Sequence, residues 1–139
     1  MLKKGVLLLF CLLCTAASSA AAEKVIEIKE RVFVALINEI YLNAEDYAGK
    51  KIRLQGVFEV FRDEDTGEKF YSVTRRGPGC CGSDLNPGFE VVWDKKYPEP
   101  DVWVDVTGVM EIYDEGYVRL RVTDMSVLPE SEDRKLYVQ

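Results

Sequence analysis

Cys80 and Cys81 stand side by side in the segment Arg75-Arg76-Gly77-Pro78-Gly79-Cys80-Cys81-Gly82-Ser83-Asp84-Leu85-Asn86-Pro87, with an aspartate three residues on. The chain has no histidine, and its other two cysteines, Cys11 and Cys14, lie in an N-terminal segment of export-signal type. Thiol or soft-ligand chemistry therefore falls to this pair. Three chemistries suit it. A bond between the two sulfurs is the first. Neighbouring Cα atoms lie about 3.8 Å apart across a trans peptide, whereas a relaxed disulfide spans roughly 4.4–6.8 Å. Such a bond would be strained, easily reduced, and better suited to a redox switch than to a staple. The second is a metal site in which both thiolates and the Asp84 carboxylate bind zinc or another thiophilic ion. That set supplies three ligands, and the fourth must come from water or from another chain. The third is packing, because cysteine is among the residue types most often buried. In that reading Asp84 caps the turn Leu85-Asn86-Pro87.

Arg75 has two readings. It can hold a buried carboxylate such as Asp84 in a two-pronged pair and so orient the loop, or it can be a solvated strand residue like Arg76. Arg53, Arg119 and Arg121 share one face of their strands and read as ordinary solvated surface. Phe70, Tyr71, Trp93 and Trp103 could stack on nucleic-acid bases. Core and rim packing is the stronger reading on an acidic chain with no basic groove in view.

The ends and the composition narrow the function classes. Lys3 and Lys4, the apolar run Val6 to Leu13 and the small residues Ala20-Ala21-Ala22 predict a cleaved signal peptide over 1–22. The apolar run is shorter than the roughly 20 residues a membrane span needs. An uncleaved anchor is the alternative. Residues 23–139 then form one domain, with sixteen basic against twenty-four acidic residues, or net −8. That balance disfavours nucleic acid and anionic lipid as partners. Without histidine, a cysteine nucleophile would lack its usual base, so the expectation is a non-enzymatic protein.

The elements that must position these groups follow from periodicity. Glu23 to Glu30 alternates as a short strand. Val32, Leu36, Ile40 and Phe33, Ile37, Tyr41 recur at helical spacing and predict a helix over Val32 to Leu42, ended by Asn43 to Asp46. Lys51 to Arg62 is a long strand with Ile52, Leu54, Gly56, Phe58 and Val60 on one face. Gly56 predicts a bulge or a sharp coil. Asp63 to Gly67 turns the chain into a strand over Lys69 to Arg75. Phe89 to Trp93 is a short strand, and Lys95 to Asp101, with Pro98 and Pro100, is a loop. Asp101 to Tyr113 and Tyr117 to Met125 form the last pair around Asp114-Glu115-Gly116. The fold class is mainly β: a five-stranded OB-like small barrel preceded by one N-terminal helix. Leu136-Tyr137-Val138 is placed to dock back on the barrel.

Several of these stretches resemble a known family. Phe33 to Tyr41, the entry Tyr47-Ala48-Gly49-Lys50-Lys51-Ile52 with Gly56, Arg75 followed by Cys80-Cys81-x-x-Asp84-x-x-Pro87, Trp103-Val104-x-Val106-x-Gly108, and Tyr137 are similar to the soluble extracytoplasmic domain of the YcgQ-like permease-subunit family. These are uncharacterised bacterial membrane proteins encoded beside predicted permeases. The chain departs from that family in Arg76-Gly77-Pro78-Gly79, where members carry apolar residues. It also has a signal-like segment where members have transmembrane helices.

The resemblance implies a free-standing version with a membrane permease or another envelope protein as partner; the acidic balance argues for no nucleic acid, and the lack of a second hydrophobic segment for no membrane insertion of the mature chain. The resemblance also favours Arg75 and Pro87 as supports of the cysteine segment. The expected function is an exported or periplasmic, non-enzymatic binding module that presents Cys80, Cys81 and Asp84 to a metal ion or a transport partner. The alternatives are a structural domain of an envelope complex with buried cysteines, and a vicinal-thiol redox protein.

Overall fold

The computed structural model describes residues 23–79 and 84–138. It closes five strands into a ring. These are β2 (Lys51–Arg62), β3 (Lys69–Thr74), β6 (Gly88–Val92), β7 (Trp103–Tyr113) and β8 (Tyr117–Val127). Their order around the ring is β2-β3-β6-β8-β7, and β2 pairs with β7 to close it. All pairs are antiparallel except β6 with β8, which run parallel. That closed order, with its one parallel pair, is an OB-type barrel. A short strand β1 (Ile26–Ile28) pairs with Ile52 to Leu54 of β2. It occupies the part of the β2 edge that β3, paired with Val57 to Arg62, does not reach.

Closure explains the long strand. The first half of β2 pairs with β7 and the second half with β3, and the change falls at Val57. Gly56 sits at this bend. A Cβ there would lie 2.6 Å from the Thr74 carbonyl oxygen, so only glycine lets the strands approach. The β2–β7 ladder keeps its register through Gly56, which makes it the sharp coil rather than the bulge. The register shift instead falls between Thr107 and Gly108, against β8.

Strand alternation fills the interior. Ile52, Leu54 and Phe58 of β2, Val73 of β3, Phe89 and Val91 of β6, Val104, Val106 and Met110 of β7, and Val118, Leu120 and Val122 of β8 are all buried. The helix α1 (Phe33–Leu42) adds Phe33, Ile37 and Ile40 to the same cluster. It stands before the first barrel strand. The third and fourth barrel strands are joined by an irregular loop over 93–102, where prolines exclude a helix.

Local details differ from periodicity alone. Glu30–Val32 is a 3₁₀ turn, so α1 begins one residue late. Asn43 to Asp46 does not simply stop the chain, because Ala44–Tyr47 forms a further helical turn, α2. The C-terminal segment docks as expected. Val138 is buried, and its N–H donates to the Arg76 carbonyl at 2.8 Å. No helix among the described residues is long and apolar enough to cross a membrane.

Candidate functional site

β3 leads straight into the cysteine segment. Past Thr74 the chain forms strand β4 (Gly77–Pro78), which pairs antiparallel with β5 (Asp84–Leu85). Cys80 and Cys81 belong to the sequence between these strands and lie outside the described residues. What is defined is the base on which that segment stands.

Arg75 is the centre of the base and only 4% exposed. A buried guanidinium must have its donors satisfied. Its Nε donates to the Gln55 carbonyl of β2 at 2.8 Å, and its Nη1 to the Lys135 carbonyl near the C-terminus at 3.3 Å. Nη1 also lies 3.5 Å from the Glu30 carboxylate. The guanidinium carbon is 5.1 Å from the ring centres of both Phe33 and Trp103, and Arg134 lies over Trp103 as well. Burial pushes the Arg75 pKa below its ordinary value. The Glu30 charge acts against that shift, and the Arg134 charge adds to it. Arginine nevertheless stays charged. One side chain therefore ties the barrel wall, the 3₁₀ turn before α1 and the C-terminal tail together.

Backbone bonds complete the base. The Arg75 N–H donates to Pro87 at 2.9 Å, and the Arg76 N–H to Leu136 at 2.9 Å. Gly77 is buried, and a Cβ there would meet Val34 Cγ2 at 2.9 Å and the Val138 carbonyl at 3.2 Å. Pro87 is buried, while Asp84 is exposed on the outer strand.

The structure thus joins Arg75 to Pro87 but does not make Asp84 the carboxylate of Arg75. Glu30 takes that place, because Asp84 lies out on β5 opposite Pro78 whereas Glu30 precedes the helix that covers Arg75. Nor does Asp84 cap a turn over Leu85 to Pro87, since Asp84 and Leu85 are strand residues. Glu30, Phe33, Trp103 and Lys135 escaped the sequence reading as partners of Arg75. Nothing in Lys29-Glu30-Arg31 distinguishes that glutamate from its charged neighbours. Among the described residues, no group of three or more Cys, Asp or Glu side chains is placed to hold a metal ion.

The model of the DUF1980 C-terminal domain family matches residues 13–138. The chain belongs to that family. No curated protein matches it. Among solved structures, this DUF1980 C-terminal domain is similar to the dimeric N-terminal domain of PriB protein from Thermoanaerobacter tencongensis. The identity is 21%, over 58% of this chain and 97% of the other, with a TM-score of 0.37. Its closed strand order makes the DUF1980 domain an OB-type barrel.

Its strand-face arginines Arg53, Arg119 and Arg121 are paired with acidic neighbours. Arg53 donates through two nitrogens to Asp105 at 2.8 and 2.6 Å, and holds that carboxyl below the usual range. Arg119 and Arg121 share Glu111. The expected arginine stripe is therefore a set of ion pairs. Trp103 packs under Arg75 and Arg134, and Tyr71 stacks on Tyr97 at 3.9 Å between centres.

At the other end of β3 lies a cleft of about 610 Å³ between the barrel wall and the turns at 63–68 and 114–116. On its floor the Tyr113 hydroxyl donates to Glu90 Oε2. Hydrogen bonding to this carboxylate, reinforced by burial and by the Glu90 charge, pushes the Tyr113 pKa up to about 12 from 10.0. The folded phenol therefore keeps its proton where the unfolded one would lose it. The stabilisation from this pair is complete below the unfolded value and is lost as pH rises through about 12. Tyr41 and Tyr97 are also raised, chiefly by burial, so tyrosinate absorbance should show several late-titrating groups, of which Glu90→Gln should bring the one at about 12 down towards the ordinary value. A titration curve unchanged by Glu90→Gln would refute the pairing.

Proposed function

We propose that the domain is an exported, non-enzymatic binding module that presents the Cys80–Cys81 segment and Asp84 to a thiophilic metal ion, zinc foremost, or to a membrane permease or other envelope partner. The observation that carries this reading is the base. A buried arginine bonded to two backbone carbonyls, with the C-terminal tail stitched beside it, holds the paired strands that bracket the cysteines. The two flanking strands, β4 and β5, are thereby held in place. The exposed position of Asp84 leaves its carboxylate open to a ligand. Two thiolates and Asp84 would supply three ligands, with the fourth from water or the partner.

Export is supported by Lys3, Lys4, the apolar run and Ala20 to Ala22. The permease partner is supported by the resemblance of the Arg75 to Pro87 block to the YcgQ-like proteins. The absence of histidine supports a non-catalytic role.

Metal analysis of the purified chain tests the metal form. Zinc bound in a fixed ratio to the wild-type chain, and lost in both Cys80→Ser and Cys81→Ser, is the expected result. Equally negligible metal in all three proteins would sink it.

A second reading, a scaffold with packed cysteines, is favoured by the burial of Gly77 against Val34 and Val138. Thiol labelling separates the two. Both sulfurs should react with a maleimide under native conditions if the segment presents them, and only after denaturation if they are packed.

A further inference from the structure

The cleft at the far end of β3 carries an inference independent of the cysteines. β3 and β6 are the second and third barrel strands, and the turns at 63–68 and 114–116 join the first to the second and the fourth to the fifth. In OB barrels this face and these two turns bind oligonucleotides or oligosaccharides. The volume, about 610 Å³, is that of a small-molecule site. The lining is aromatic: Phe70, Tyr71, Tyr97, Tyr113 and Tyr117 all face it, with Tyr117 65% exposed.

Charge decides between ligand classes. Glu68, Glu90 and Asp114 stand against Lys69 and Arg119, so the cleft is net negative by one. A phosphate backbone would be repelled, since strand binding depends on a positively charged groove. A cationic ligand is disfavoured for a different reason. Arg119 already lies over the Tyr113 ring at 4.3 Å and fills the site that an incoming cation would seek.

What remains suited to the cleft is a neutral ligand with apolar faces and many hydroxyls. Aromatic rings offer a platform for the C–H face of a sugar. A carboxylate has about four acceptor positions, of which the Tyr113 hydroxyl takes one on Glu90. The remaining positions, with the Arg119 donors beside them, match pairs of neighbouring hydroxyls. We propose that this cleft is an oligosaccharide-binding site, with Phe70 and Tyr117 as stacking platforms and Glu90 and Arg119 as the hydroxyl-binding pair.

The full chain should be titrated with cellotetraose, maltotetraose and chitotetraose while amide resonances are followed by NMR. At least one of the three should saturably shift Phe70, Glu90 and Tyr117 at up to millimolar concentration. Tyr117→Ala should weaken that binding about tenfold, and Tyr117→Phe should retain it. Tyr117 is exposed enough for both variants to fold. The proposal is overturned if none of the three shifts these residues, or if the shifts fall elsewhere. It is also overturned if oligothymidylate or tetralysine binds the cleft more tightly than any of the sugars. Cysteine variants, which probe the other end of β3, should leave the sugar titration unchanged.

Discussion

Phe33→Ala will lower the unfolding free energy by about 3–5 kcal/mol, the range for deleting a fully buried phenylalanine. The ring has 0% exposure. It leads the only three residues that α1 buries: Phe33, Ile37 and Ile40. A helix of ten residues is marginal by itself in water, so α1 depends on this face for its stability. Loss of the ring leaves a cavity and also removes one of the two aromatic neighbours of Arg75. Urea unfolding checks the prediction. The midpoint should fall with the slope retained, because the barrel still exposes similar surface when it unfolds. A loss under about 1 kcal/mol would show that the core refills the space and that Phe33 does not anchor the helix.

Arg75→Met will cost about 3 kcal/mol, because it removes two part-buried hydrogen bonds and the partner of the Glu30 carboxylate from a buried site. The methionine stem replaces much of the buried volume but none of the donors. The loss should also appear locally. Lys135, three residues before Val138, accepts from Arg75, and the amides of Arg76 and Val138 lie in the adjoining backbone bonds. Their hydrogen exchange should quicken more than that of the barrel strands. Arg75→Lys should rescue little, since a single ammonium group cannot reproduce a planar fork between Gln55 and Lys135. Unchanged protection at Val138 in the methionine variant would refute the role of Arg75 in holding the tail. If the cysteine segment binds as proposed, the same variant should also weaken metal retention while leaving both thiols in place.

Much of the barrel was legible in the chain because strand alternation has a fixed period of two. Ile52, Leu54 and Phe58, or Val118, Leu120 and Val122, declare one face whatever they pack against. Bounds of strands such as Lys51 to Arg62 followed from turn residues on either side. Gly56 was legible as a special position. Its cause was not, because the clash that excludes a side chain comes from Thr74, eighteen residues away.

The site was legible only in part. Asp84 stood out by type and spacing, and Arg75 and Pro87 by the family resemblance, yet the partner chosen for Arg75 was the neighbour in sequence. A guanidinium pairs with whatever carboxylate the fold brings near, and here Glu30 arrives forty-five residues upstream. The aromatic cleft was missed for the same reason. Phe70, Tyr97 and Tyr113 are scattered through three separate stretches, and each reads as ordinary packing until closure gathers them.

The amino-acid sequence by itself determined which residues face inward, where the chain turns, and that a vicinal cysteine pair stands three residues before an aspartate. These are local properties, set by the period of the backbone and by residue type. Only the tertiary structure decided the partners of Arg75, the burial of Gly77 and the assembly of the cleft. Each depends on which distant segments meet when the sheet closes, and ring closure is a condition on the whole chain that no short stretch encodes.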